Sequence, residues 1–303
     1  MKMEEWNYLK CVYNWNERSS YGLMHKGENE TYLINTSDQK FVLRKYRRDQ
    51  CSWKQIQSEI TWMQELKKYL NVPKVITNKN SEMITSVSQT FYVLFEHIPG
   101  DFIASPTESD YQRLGGLMAQ LHKTSDEIVK SKELGWTGFD RPIYNSDLLN
   151  HQPLKRLLNF GLLSAENKDR CEVIARVLEE DFKKCSRDES LIHADLHFGN
   201  IIASSKHWYC LDFDECGFGH RSIDLGVIRL HLMAEKQHEQ FWPAFIEGYG
   251  DHFDEQVIRI GTALRIFYMA GKIPVRQDIE PLRNQPNERI GRYLSYIESE
   301  LRM

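Results

Sequence analysis

The chain has 303 residues, 41% hydrophobic, 27% charged and 12% aromatic, with a formal net charge of -4 and a pI near 6.3. So apolar a composition offsets the conformational entropy of folding, which excludes disorder, and the length calls for one large or two modest cores. The weakly acidic balance excludes a general nucleic-acid or anionic-membrane binder but leaves small anionic ligands open, since a local site can be basic on an acidic protein.

The six cysteines (Cys11, Cys51, Cys171, Cys185, Cys210 and Cys216) include no C-x-x-C pair. Reduced thiols are therefore expected, with neither a disulfide framework nor a structural zinc site. The N-terminal MKMEEWNYLK carries acids where a signal peptide needs an apolar core, and no run of eighteen apolar residues occurs. A cytoplasmic protein without a membrane span is expected.

In chain order, TYLIN (31–35) and KFVLRKY (40–46) are short alternating runs joined by Thr36-Ser37-Asp38-Gln39, which predicts a hairpin. Apolar residues Trp53, Ile56, Ile60, Met63, Leu66 and Leu70 recur at three- and four-residue steps, predicting a helix over 52–70 with Ser52 as its cap. MITSV (83–87) and FYVLFEHI (91–98) read as further strands. Ile98-Pro99-Gly100 breaks the pattern, and helical spacing then dominates, in 111–122, from Ala165 to Cys185 and in the C-terminal region. Short β segments interrupt near 191–193, 200–203 and 208–213. The pattern predicts a small β-rich lobe with one helix over 1–98 and a larger, mainly helical lobe over 99–303. Gly115 and Gly116, inside a helical stretch, read as sites of close packing.

Chemistry concentrates in LIHADLHFGNIIASSKHWYCLDFDECGFGHRSIDLG, residues 191–226. Asp195 and Asn200 are five apart, and Asp212 lies twelve further on at the end of an apolar β run. A loop with Asp and Asn, followed by a hairpin ending in Asp, can gather three oxygen ligands or acceptors about one point. Phosphoryl transfer needs such a set: one carboxylate to orient the acceptor hydroxyl, an amide oxygen and another carboxylate to hold Mg²⁺ on the phosphates. If the strand runs on through Asp212, then Asp214 projects to the same face and also reaches the metal. A rival reading takes His193, Asp195 and His197, alternating on a strand, as zinc ligands of a metallohydrolase. It leaves Asn200 and Asp212 unexplained.

HADLHFGN is similar to the H-x-D-x-x-x-x-N loop of aminoglycoside phosphotransferases and their choline-kinase-like and homoserine-kinase-like relatives, and LDFDECGFG followed by Asp224-Leu225 resembles their D-F-D segment and downstream D-L. The resemblance implies a bilobal, protein-kinase-like α+β fold: a five-stranded antiparallel lobe with one helix, a mainly helical lobe, and ATP between them. It implies that Asp195 orients and helps deprotonate a hydroxyl, that Asn200 and Asp212 ligate Mg²⁺ with Asp214 as a further ligand, and that His193 and Asp224 brace the loop. His197 matches a second histidine common in the family. Arg44, in FVLR, stands where the kinase-like fold places its strand cation. Glu59, beside Ile56, Ile60 and Met63 on the inward helix face, is its expected partner; a surface pairing with Lys67 is the alternative. KGENETY (26–32), with Gly27 and Asn29, resembles the turn that covers the nucleotide but lacks the full glycine pattern. Backbone groups of Glu96 and Ile98 in FEHIPG would hold adenine. The resemblance implies a small-molecule acceptor with a hydroxyl, and the alternative is a Ser/Thr protein kinase, although no A-P-E segment follows Asp212. Acids after residue 100, namely Asp101, Glu215, Asp251 and Glu280, would suit a cationic acceptor or form a solvated face.

Overall fold

A computed structural model of the protein describes all residues except 28, 48–50, 131–138, 186–188, 205–206 and 251–253, and all side chains of the rest except 189, 238, 280 and 281. Asp251 and the Glu280 side chain thus lie outside the described residues. In chain order the elements are α1 (Met3–Val12), β1 (Ser20–Lys26), β2 (Glu30–Asn35), β3 (Lys40–Lys45), α2 (Trp53–Leu66), β4 (Val75–Ile76), β5 (Ile84–Val87), β6 (Thr90–Glu96) and β7 (Asp101–Phe102). They continue as α3 (Glu108–Lys130), β8 (Ile143–Tyr144), α4 (Gln152–Leu158), α5 (Ala165–Phe182), β9 (Glu189–Ile192), β10 (Ile201–Ser204), β11 (His207–Cys210) and β12 (Gly217–His220). The C-terminal helices are α6 (Ser222–Ala234), α7 (His238–Tyr249), α8 (Glu255–Lys272), α9 (Glu280–Arg283) and α10 (Pro286–Leu301).

Two compact units are present. One comprises Met1–Ile103, Ser131–Arg141 and Asn200–Asp214; the other comprises Ala104–Lys130, Pro142–Gly199 and Glu215–Met303. In the first, β1 to β6 form an antiparallel sheet of six strands, in the order β1-β2-β3-β6-β4 with β5 also on β6. The β2–β3 hairpin closes on Thr36, whose amide and hydroxyl both donate to the Gln39 carbonyl at 3.0 and 2.8 Å. Helix α2 starts in a reciprocal cap: the Ser52 hydroxyl accepts from Gln55 N at 3.1 Å and the Gln55 side chain accepts from Ser52 N at 2.8 Å. It buries Ile56, Ile60, Met63 and Leu66 of the positions its spacing marks; Trp53, its first residue, is exposed, and the helix ends before the buried Leu70. The sheet thus has six strands where five are expected, and the unit has a second helix. Helix α1 buries Trp6, Leu9 and Val12, and the Trp6 ring packs 4.8 Å from Tyr21 and 5.5 Å from Trp15. At ten residues it is too short to be stable alone, so this packing is what holds it.

Strands β11, β10 and β7 form a small three-stranded sheet in the same unit. Strand β11 stops at Cys210, so the apolar run does not carry Asp212 and Asp214 on one strand face as the alternation predicts. The chain turns instead through Asp212 in the left-handed region, at φ 62°.

The second unit is built around α8, whose Ala263, Leu264, Ile266, Phe267 and Ala270 share a core with Ile174 and Leu178 of α5 and with Ile290, Leu294 and Ile297 of α10. Gly115 permits the approach of α3 to α7: a β-carbon there would lie 2.1 Å from the Phe245 carbonyl oxygen. Close packing is therefore its role. Among the described residues no helix is long and apolar enough to cross a membrane.

Candidate active site

Period-two geometry on β3 sends Lys45 and Arg44 to opposite sides. Lys45 Nζ pairs with Glu5 of α1 at 3.1 Å, whereas the Arg44 guanidinium lies 3.3 Å from Glu59 Oε1 on α2 and 2.6 Å from Asp212 Oδ1. Glu59 is fully buried and also accepts from the Tyr46 hydroxyl at 3.1 Å. Burial would lower the Arg44 pKa, but Asp212 and the neighbouring anionic groups hold it well above its ordinary value, so the guanidinium stays charged.

The hairpin of β10 and β11 places the other donors. Its ladder pairs Ile201 with Cys210, and one step beyond, Leu211 N donates to the Asn200 carbonyl at 2.9 Å. Asn200 and Asp212 therefore stand at the open end of one hairpin. Asp214 Oδ2 accepts from the Asn29 amide at 2.9 Å, and Asn29 Oδ1 accepts from Arg47 N at 3.2 Å. Gly27 N donates to the Asn29 carbonyl at 3.0 Å, so Gly27 is linked through Asn29 to Asp214. Asn200, Asp212 and Asp214 offer one amide oxygen and two carboxylates, a hard-oxygen set that suits Mg²⁺. Glu96 ends β6, with its carboxylate turned to Lys67 Nζ at 3.1 Å and Lys74 N at 2.6 Å, and Ile98 is buried. Lys67 thus pairs with Glu96, while Glu59 faces inward to Arg44.

Asp195 belongs to the second unit. Its Oδ1 accepts from Arg265 Nη2 of α8 at 2.9 Å, and its Oδ2 lies 3.8 Å from His197 Nε2. Burial would raise the Asp195 pKa; the nearby His197 ring and the Arg265 charge outweigh it and hold the carboxylate well below its usual range. The backbone before Asp195 is pinned by Asp224, which accepts from His193 N at 3.0 Å and Ala194 N at 2.5 Å. Ala194 has φ 64°, a strained conformation that these two bonds stabilise. Asp224 also bonds His122 at 2.9 Å, and His122 in turn bonds the Tyr249 hydroxyl at 2.9 Å.

His193, Asp195 and His197 do not alternate along a strand, because β9 ends at Ile192. Among the described residues no group of three or more His, Cys, Asp or Glu is arranged to hold a metal ion, which removes the zinc reading. Glu215 is not an open acid for a cationic acceptor either. It is bonded by Lys272 Nζ and by the Tyr268 hydroxyl at 3.2 Å, and Arg265 lies 3.8 Å away. Asp101 is exposed.

The model of the phosphotransferase enzyme family (APH) matches residues 23–260. The chain belongs to that family. It is therefore a phosphotransferase, and the aminoglycoside-phosphotransferase resemblance of 193–225 holds across most of the sequence. An uncharacterized protein of Deinococcus radiodurans is 22% identical over 245 residues, 75% of this chain and 67% of that protein. The chain spans 63 to 67% of the length of the curated relatives it matches. The structure of a microcompartment-associated aminopropanol kinase matches with a TM-score of 0.77 at 20% identity, covering 99% of this chain and 95% of that one. An amicoumacin kinase in complex with AMP-PNP and Ca²⁺ matches with a TM-score of 0.81 at 17% identity, covering 99% and 93%. The phosphotransferase thus has the kinase-like α+β fold.

Sequence reasoning missed three cationic or basic supports of this phosphotransferase. Arg141 lies 3.7 Å from Glu59 and donates to the Gln55, Phe213 and Asp214 carbonyls, so it ties α2 to the 212–214 turn. His122 holds Asp224. Arg265 holds Asp195. Arg265 alone left a usable signal: a single cation inside the apolar helical stretch GTALRIFYMAG.

Proposed function

We propose that this phosphotransferase moves the γ-phosphoryl group of ATP to a hydroxyl of a small molecule (an aminoglycoside, amino alcohol or similar metabolite) in the cytoplasm. The observation that carries the reading is the Arg44 bridge, 3.3 Å from the helix acid Glu59 and 2.6 Å from the hairpin acid Asp212. A buried cation braced by one acid and reaching a second fits a phosphate clamp better than a structural pair. Removing either acid would leave a charge that is expensive to bury. Residues 1–98 bind the nucleotide in this reading, with Gly27 and Asn29 over the phosphates and the backbone of Glu96 and Ile98 on adenine. Residues 99–303 carry the catalytic loop and the acceptor site.

Asp195 orients the acceptor hydroxyl and receives its proton at Oδ2, the oxygen other than the one Arg265 holds. The acceptor oxygen bonds to the γ-phosphorus as the bond from that phosphorus to ADP breaks. Because the low Asp195 pKa makes it a weak base, the proton moves late, and the rate rests on positioning and charge neutralisation. Mg²⁺, held by Asn200, Asp212 and Asp214, would supply part of that neutralisation. Small-molecule acceptors are favoured over protein hydroxyls because the matched aminopropanol and amicoumacin kinases are named for small molecules.

Calorimetric titration with the ATP analogue AMP-PNP tests the reading. Asp212→Ala is expected to weaken Mg²⁺-dependent binding by about tenfold or more. Unchanged Mg²⁺ dependence would remove Asp212 from the site. A panel of aminoglycosides, amino alcohols, sugars and protein substrates, scored by ATP turnover, then identifies the acceptor class.

A further inference from the structure

Arg265 is a buried cation that core packing does not require. Its side chain is 3% exposed, on a helix whose Ala263, Leu264, Ile266 and Phe267 already fill the surrounding core. A guanidinium in such a place is retained at a cost unless its hydrogen bonds do something an apolar residue could not. Here they reach one atom of the reaction centre, Asp195 Oδ1 at 2.9 Å. The rest of the guanidinium is anchored from behind. Nη1 lies 3.8 Å from Glu215, the Tyr268 ring sits 5.4 Å away, and Glu215 is itself fixed by Lys272 and by the Tyr268 hydroxyl.

The second Asp195 oxygen has a different neighbour. Gly199 N donates to His197 Nδ1 at 3.0 Å, so in the neutral ring the proton is on Nε2, which faces Asp195 Oδ2 from 3.8 Å. A β-carbon at Gly199 would lie 2.6 Å from the His197 ring, so glycine lets the ring fold back over the loop. His231 of α6 stacks on the other face of His197, 4.3 Å between centroids.

We propose that Arg265 is a positioning residue for the transfer: it fixes Asp195 by Oδ1, so that Oδ2 alone is presented to the acceptor hydroxyl. The proposal rests on the reading of Asp195 as the group that receives that proton. The charged and titratable groups around the carboxylate are Arg265, His197 and His193, with Glu215 behind Arg265 and His231 behind His197. Loss of Arg265 would remove the charge that holds Asp195 Oδ1, leaving the carboxylate easier to turn and to protonate.

The test pairs a measurement on the protein alone with turnover. In protein labelled with ¹³C at aspartate carboxyls, the Asp195 signal is assigned by its absence from Asp195→Asn and followed against pH. Arg265→Met is expected to raise its midpoint by about one unit or more, while Arg265→Lys stays nearer wild type. In ATP turnover with water or a panel acceptor, Arg265→Met is expected to lower kcat about tenfold or more with KM for ATP within about twofold, and Arg265→Lys to recover part of the loss. Arg265→Gln, which keeps a donor, gives the same reading if the Met variant does not fold. An unmoved midpoint, or an equal loss of kcat and Tm in the Met and Lys variants, would overturn the proposal and leave a structural role. If Asp195→Asn turns over at the wild-type rate, the reading of Asp195 has failed and takes the proposal with it. If that variant is inactive while Arg265→Met is normal, the positioning proposal alone has failed.

Discussion

Glu59 and Asp195 are both acids in mostly apolar surroundings, and each is matched by an arginine that reaches it with a distance near 3 Å. They differ in how visible those arginines are from the sequence. Arg44 is on a short alternating strand, where period two separates it from Lys45 and leaves one choice of face. Arg265 is 70 positions beyond Asp195, and no local spacing links them. His231 shows a further consequence of burial. Desolvation, and then the neighbouring His197, lower its pKa to about 4 against an ordinary value of 6.5. In the unfolded chain it takes up a proton as pH falls through 6.5, while in the folded protein it does not until about 4. Stability from the neutral ring is therefore complete above 6.5 and is lost as pH drops from 6.5 towards 4. Thermal unfolding of His231→Phe is expected to show a shallower fall in Tm than wild type over that interval. Identical slopes would mean that His231 titrates normally.

The elements around the 193–200 loop are held by backbone bonds to side chains, which spacing does not reveal. Asp224 begins α6, yet its carboxylate serves the amides of His193 and Ala194, with His122 of α3 behind it. Burial alone would raise the Asp224 pKa, but His122 and the loop hold it low. Replacing Asp224 by Asn would set one amide N–H against a loop amide. Destabilisation of about 2 kcal/mol is expected, read as a lower Tm. An unchanged Tm would show that the loop keeps its shape without Asp224. Helix α1 was hidden for another reason. Its Trp6, Leu9 and Val12 do recur at three-residue steps, but one short amphipathic helix carries little signal until the sheet it packs on is known. The 208–213 run misled in the opposite direction. Its apolar residues continue past Cys210, so alternation extended the strand, whereas the left-handed φ of Asp212 ends it.

At the scale of the molecule, the fold class was legible because the order of elements is simple: strands around α2 first, helices afterwards, with the motif stretch inserted in the second part. Legible in the sequence was the pairing of Arg44 on its strand with the inward-facing Glu59, and illegible were the single side chains that α3, α8 and residue 141 supply from afar. Glu215, the acid that follows Asp214 in the chain, is already satisfied by Lys272 and Tyr268 and so does not mark the acceptor. The central claim is that Asp195 handles the acceptor hydroxyl and not the nucleotide. The most direct measurement is ATP turnover and AMP-PNP affinity of Asp195→Asn, taken side by side with wild type. Turnover is expected to fall by about a hundredfold or more while affinity stays nearly unchanged; full turnover in that variant would contradict the account.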